Sequence, residues 1–185
     1  MQRYAVIGEI LSKEKPKSVL EVGTWNGRRA VEMMFASGAE RYFGFDLFES
    51  GTEEDDKREF NVKRRVSMME VSKFLRRFPF DHELYRGNSK ETLKQFLTEH
   101  GENSVDFAFI DGGHSVETIE SDWHNVRQAV KPGGVVIFDD YYTDRDSTAV
   151  GCNRIVKDLD HEILPPADPV VGGGMVNLVL VRNKK

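Results

Sequence analysis

The sequence predicts an α/β domain built on a doubly wound, mainly parallel sheet of seven strands with helices on both faces. Short β-branched apolar runs alternate with longer stretches of helical period, and no internal repeat interrupts them. The length of 185 residues suits a single domain, 1–185, with a sizeable core. The residues able to do chemistry fall just after the strand runs, where an open parallel sheet exposes its loops.

The elements follow in order. Tyr4, Ile7 and Leu11 mark one face of an N-terminal helix that stops before Pro16, since proline cannot continue a helix interior. Ser18 to Val22 is a buried strand ended by Gly23, and a helix from about Gly27 to Ser37 is closed by Gly38. Arg41 to Phe45 is the second strand, ending at Asp46. The polar segment Leu47 to Val62 then breaks the alternation. It has room to cover a pocket, but Glu54 with Arg58 and Glu59 with Lys63 fall at i,i+4 spacing, so its charges read as a solvated helix face. Val71, Phe74, Leu75 and Phe78 form a helical core stripe ended by Pro79.

Glu83 to Arg86 is a short third strand, and Ser89 is placed to cap a helix burying Leu93, Phe96, Leu97 and a structural His100. Val105 to Ile110 is the fourth strand. Val116, Ile119, Trp123, Val126 and Val130 trace the inner face of the next helix, which Lys131-Pro132-Gly133-Gly134 stops before a fifth strand at Val135 to Phe138. Ile155, Val156 and Leu159 mark a last helix, and Glu162 to Leu164 and Val176 to Val181 complete the strands.

Composition narrows the partners. A formal net charge of −5 offers no general attraction to a polyanion, which disfavours nucleic acid and membrane surfaces and favours a small or neutral partner. The single cysteine, Cys152, forms no intrachain disulfide. No run approaches a membrane span and the first residues lack a signal-peptide core, so a cytoplasmic protein is expected.

The strand ends carry Glu21-Val-Gly23-Thr24-Trp25-Asn-Gly27, then Asp46, then Gly87-Asn88-Ser89, then Asp111, then Asp139-Asp140. A dinucleotide turn requires G-x-G-x-x-G so that backbone can approach a pyrophosphate. Here Trp25 takes the place of the middle glycine and no G-K-[ST] follows. An NAD-dependent oxidoreductase is therefore the weaker alternative. The wider G-x-x-x-G beside the acidic Glu21 suits a ligand with an ammonium group and no phosphate.

VLEVGTWNGRRA resembles the first motif of the class I S-adenosylmethionine (SAM)-dependent methyltransferases, whose fold is Rossmann-like. DFAFIDGGHS and VKPGGVVIFDDY are similar to their metal-dependent small-molecule O-methyltransferases, including those acting on macrolide sugars. The resemblance covers Val19 to Tyr141. It implies that Glu21 and Gly23 line the methionine end of SAM, that Asp46 holds the ribose hydroxyls, that Asn88, in a segment Asn88-Ser89 beside the adenine, faces the adenine edge, and that Thr24, Gly27, Ser89 and Asp111 also belong to the cofactor site.

Ile110-Asp111-Gly112-Gly113-His114 stands where amine methyltransferases of bases carry a proline-aromatic motif. A hydroxyl acceptor, such as a sugar, polyol or phenol, is therefore expected, and it needs a base or a metal to activate it. Asp111, Asp139 and Asp140 offer oxygen ligands for Mg²⁺, or else form an Asp-Gly turn and a solvated loop. Asp111 and His114 are the catalytic candidates, with His114 equally readable as a helix-start residue. Asp106 and Asp122 read as a strand entrance and a helix surface. A non-catalytic binding module and a metal-dependent hydrolase remain as alternatives, although the hydrolase leaves Glu21, Gly23 and Asp46 without a purpose. A homo-oligomer is compatible with so small a chain.

Overall fold

The computed structural model describes residues 3–59, 64–144 and 147–184. In chain order the elements are α1 (Ala5–Glu14), β1 (Ser18–Val22), α2 (Arg28–Ser37), β2 (Arg41–Asp46), a 3₁₀ turn (Phe48–Ser50), α3 (Glu53–Arg58), α4 (Met68–Leu75) and β3 (Asp81–Arg86). They continue with α5 (Ser89–His100), β4 (Val105–Ile110), α6 (Val116–Ala129), β5 (Val130–Thr143), α7 (Asn153–Val156), β6 (His161–Pro169) and β7 (Met175–Arg182).

The seven strands form one sheet in the order β3-β2-β1-β4-β5-β7-β6. From β3 to β5 all neighbours run parallel, whereas β7 lies antiparallel to both β5 and β6. The short connection from β6 to β7 dictates this edge, because a parallel return needs a crossover of a dozen or more residues. The strand order reverses between β1 and β4, and the crevice at that point becomes the site.

Period-2 alternation splits the core into two layers. Leu20, Val22, Phe43, Phe45, Ala108 and Ile110 face Leu93 and Phe96 of α5 and Ile119 and Val126 of α6. Val19, Tyr42, Phe107 and Phe109 face Ile7 and Leu11 of α1 and Ala30, Met33 and Met34 of α2. This is the doubly wound Rossmann-like sheet, with helices on both faces.

Several local expectations shift. α4 ends at Leu75, so Phe78 lies in the following turn and stacks with Phe80. Asn88 rather than Ser89 caps α5, its side chain accepting the Lys90 amide. β5 begins at Val130, because Lys131 to Gly134 continue as extended chain through a register shift beside β4. Arg58 pairs with Asp55 and Glu59 instead of Glu54; the Glu59–Lys63 pairing and the end of the Leu47–Val62 segment, at 60–62, lie outside the described residues. Asp122 is fully buried rather than on a helix surface. Asp106 matches its reading as a strand entrance, accepting from the Lys17 and Ser18 amides.

Candidate active site

Val22 ends β1 and accepts the Asp111 amide, while Gly23 donates to the Phe45 carbonyl, so the loops after β1, β2 and β4 meet edge to edge. Gly23 has φ +99°, and a Cβ there would lie 1.9 Å from the Asp111 carbonyl oxygen. No side chain fits that approach. The meeting opens a solvent-facing cleft that spans about 950 Å³ of non-atom space, open solvent included. Gly23, Asp46, Asn88, Ser89, Asp111 and His114 line it together.

Asp46 closes one side. Its Oδ2 accepts the Trp25 amide and its Oδ1 the Phe48 amide, both at 2.7 Å. These bonds fix the orientation of the carboxylate at the cleft wall. Behind the wall, Glu21 is buried and accepts the Tyr42 hydroxyl, which also meets the Thr24 hydroxyl at 3.0 Å. Glu21 and Thr24 thus brace the turn from beneath. Gly27 opens α2 with φ +74°, and a Cβ there would crowd Val71 on α4 at 3.0 Å. The absence of a side chain at Gly27 lets α4 approach the start of α2.

The Leu47–Val62 insertion contributes a wall that its charges did not announce. Leu47, Phe48, Asp55, Asp56, Arg58 and Glu59 line the cleft. Glu59 is nearly buried and accepts from the Ser115 amide at 2.9 Å, the Ser115 hydroxyl at 3.1 Å and the Thr118 hydroxyl at 2.7 Å. Burial alone would raise its pKa, but these bonds and Arg58 outweigh it and hold the carboxyl below its ordinary range. The solvated reading therefore fails for Glu59, which pins the insertion to the start of α6. On the return path, the Trp25 indole donates to the Arg64 carbonyl at 2.9 Å and Arg65 pairs with Asp56 at 2.6 Å.

At the other end stands His114, lining the cleft with its Nε2 3.6 Å from Asp140 Oδ2. The helix start belongs to Ser115, whose hydroxyl accepts the Thr118 amide. The His114 carbonyl is held by the Gly151 amide, and Asp140 accepts the Tyr142 hydroxyl at 3.2 Å. Burial, then the neighbouring Asp139, push the Asp140 carboxyl above its usual range, against the pull of His114.

The three aspartates expected to hold Mg²⁺ are neighbours, the Asp111 side chain bonding to Asp139 and Asp139 standing beside Asp140, but their oxygens are engaged by protein groups rather than arranged around a cation. Asp140 places one oxygen 3.6 Å from His114 Nε2 and accepts the Tyr142 hydroxyl on the other. Asp139 instead receives Arg3, with Nε on Oδ1 at 2.9 Å and an Nη on Oδ2 at 2.8 Å, together with the Tyr4 hydroxyl. Burial would raise the Asp139 pKa, but Arg3 holds the carboxyl low. Among the described residues, no group of three or more His, Cys, Asp or Glu is gathered to hold a metal ion. The residues present do not fit the cation.

Asp122 lies beneath this floor. It is 0% exposed, neither oxygen has a hydrogen-bond partner, and a Cβ on Gly112 would lie 3.7 Å from its Oδ2. Burial pushes its carboxyl up to about 7, the nearby Ser89 hydroxyl offsetting only part of that cost.

Sequence comparison decides the family: a methyltransferase domain family matches residues 20–141. The chain belongs to that methyltransferase family. The match spans β1 to β5 and so contains every loop of the cleft described above. The chain is 27% identical to the uncharacterized protein R132 of Acanthamoeba polyphaga mimivirus over 142 residues, 76% of this chain and 59% of that protein. The chain thus matches a little under two thirds of that relative's length. Its fold is similar to the O-methyltransferase TomG of Streptomyces achromogenes, solved with SAM, at TM-score 0.62 and 17% identity over 96% of this chain and 78% of that one. It is also similar to the 1,6-didemethyltoxoflavin N1-methyltransferase of Burkholderia thailandensis, solved with S-adenosylhomocysteine, at TM-score 0.65 and 14% identity over 100% and 79%. One fold therefore serves oxygen and nitrogen acceptors alike.

Sequence reasoning missed Arg3, Tyr4, Glu59, Thr118 and Asp122. Only Glu59 carried a signal, its place in an insertion after a ligand-facing strand end.

Proposed function

We propose that the chain transfers a methyl group from SAM to a hydroxyl of a small molecule, with His114 as the base. The carrying observation is that His114, backed by Asp140, lines the same cleft as Asp46, Asn88 and Asp111. The residues suit SAM: Asp46 presents an oriented carboxylate to the cleft for the ribose hydroxyls, and Asn88 and Ser89 stand at the next strand end for the adenine. Asp111 supplies a carboxylate for the cationic methionine end. Trp25, with φ +48°, fills the place where a dinucleotide turn needs its middle glycine, which weighs against NAD.

Bound SAM supplies an electrophilic methyl on a sulfonium. The chain's own task is to orient the acceptor and take its proton. With His114 Nε2 turned towards Asp140, Nδ1 is the ring nitrogen that accepts the hydroxyl proton, and the Asp140 carboxylate stabilises the resulting imidazolium. The insertion, pinned by Glu59, excludes water from the acceptor side. No metal enters this reading, and neither nucleic acid nor a membrane is assigned as partner.

Calorimetry with SAM, S-adenosylhomocysteine and NAD, followed by transfer of labelled methyl to a panel of sugars, polyols and phenols, tests the proposal. SAM and its product should bind and NAD should not. His114→Gln should keep SAM affinity and lose about 10²–10⁴-fold in turnover. Wild-type turnover in that variant would remove His114 as the base, and SAM binding without any turnover would leave a binding module.

A further inference from the structure

We propose that Arg3 is the resident cation of the acidic floor: it occupies the place of a divalent metal on Asp139, frees methyl transfer from any metal requirement, and positions His114 through Asp139 and Asp140. Arg3 is 7% exposed and Asp139 4%. An ionised carboxylate offers about four lone-pair sites. Those on Asp139 are taken by protein groups: Oδ1 accepts Arg3 Nε at 2.9 Å and the Asp140 amide at 2.7 Å, Oδ2 accepts an Arg3 Nη at 2.8 Å and the Tyr4 hydroxyl at 2.5 Å, and the Asp111 side chain bonds to the same carboxyl. A Mg²⁺ ion demands oxygen ligands at roughly 2.0–2.1 Å in octahedral array, and here it would have to evict a two-pronged guanidinium.

Arg3 is itself locked. Its second Nη donates to Asp168 at 3.1 Å, and the Tyr4 ring meets both the Arg3 and the Arg29 guanidinium, 4.4 and 3.7 Å from its centroid. A planar fork of this kind holds a carboxylate in one orientation, which a hydrated ammonium does not.

The consequence reaches the base through the backbone. The Asp140 amide is tied to Asp139 Oδ1, and Asp140 has φ +61°, a conformation a non-glycine residue keeps only when its surroundings impose it. That conformation sets Asp140 Oδ2 3.6 Å from His114 Nε2. Arg3 is therefore a positioning residue, acting across Asp139 and Asp140 without touching the acceptor.

This relay rests on the base assigned above; the metal claim does not, and the two are tested apart. Manganese titration of the unmodified chain, followed by electron paramagnetic resonance with no acceptor present, should show no bound ion, and methyl transfer should survive EDTA at its full rate. One bound Mn²⁺ per chain that disappears in Asp139→Asn, or activity abolished by EDTA and restored by Mg²⁺, would overturn the metal claim even if no Arg3 variant folds. Arg3→Ala should lower kcat by about 10²-fold with SAM affinity unchanged, and Arg3→Lys should recover part of it. An unchanged kcat in folded Arg3→Ala defeats the relay.

Discussion

Replacing Asp122 with asparagine should make the variant more stable relative to the parent protein at pH 8 than at pH 4. The carboxyl is fully buried, without a hydrogen-bond partner, and burial lifts its pKa from 3.8 to about 7. Because the folded value is the higher one, the neutral form is favoured in the fold. The contribution is fully present below 3.8 and is lost as pH rises through about 7. A displacement of ~3 units at ~1.36 kcal/mol each gives about 4 kcal/mol between the two ends of the window. Asparagine has no proton to lose, so its fixed offset cancels when the two proteins are compared at each pH. Urea unfolding of both from pH 4 to pH 8 reads the difference directly, and ~4 kcal/mol is large against a total stability of about 5–15 kcal/mol. A difference that stays flat across that range would refute the reasoning, placing the proton of Asp122 outside the folding equilibrium.

Other outcomes follow from the same geometry. Asp46→Ala should weaken SAM and S-adenosylhomocysteine by about tenfold to a hundredfold in calorimetry, as loss of a charged acceptor predicts; unchanged affinity rejects the ribose assignment. Gly23→Ala places a Cβ 1.9 Å from the Asp111 carbonyl and should cost more than about 3 kcal/mol in urea unfolding, so a near-neutral result would contradict the loop contact. Glu59→Ala strands the Ser115 and Thr118 donors and should cost about 1–3 kcal/mol, with faster tryptic cleavage after Arg58. Since its folded pKa is lowered, the Glu59 contribution is present above pH 4.5 and lost as pH falls. A variant with wild-type stability and cleavage denies that Glu59 pins the insertion.

Much of the fold was legible because its signals are local. Alternating residues such as Val19, Leu20 and Val22 report their own strand, and Ile7 and Leu11 their own helix face, whatever lies across from them. The positions of Asp46, Asn88 and Asp111 were legible too, since the end of a parallel strand is where any ligand must collect. Ser89 misled as a cap because Asn88 beside it is an equally good acceptor, and nothing local separates the two.

What the sequence by itself determined was the doubly wound sheet, the turn at Gly23 and the convergence of strand ends on one cleft, all consequences of periodicity and of the rule for parallel sheets. Only the tertiary structure decided how the acidic residues are used. Arg3 meets Asp139 across 136 positions of chain and Glu59 meets Ser115 across 56, so no local pattern encodes either pairing. Burial then separates carboxylates of identical chemistry: Asp139 stays charged against a guanidinium that bonds it directly, whereas Asp122, whose burial outweighs the pull of Lys90, is pushed towards its neutral form. The charge state of each aspartate is a property of its surroundings, and those exist only once the chain has folded.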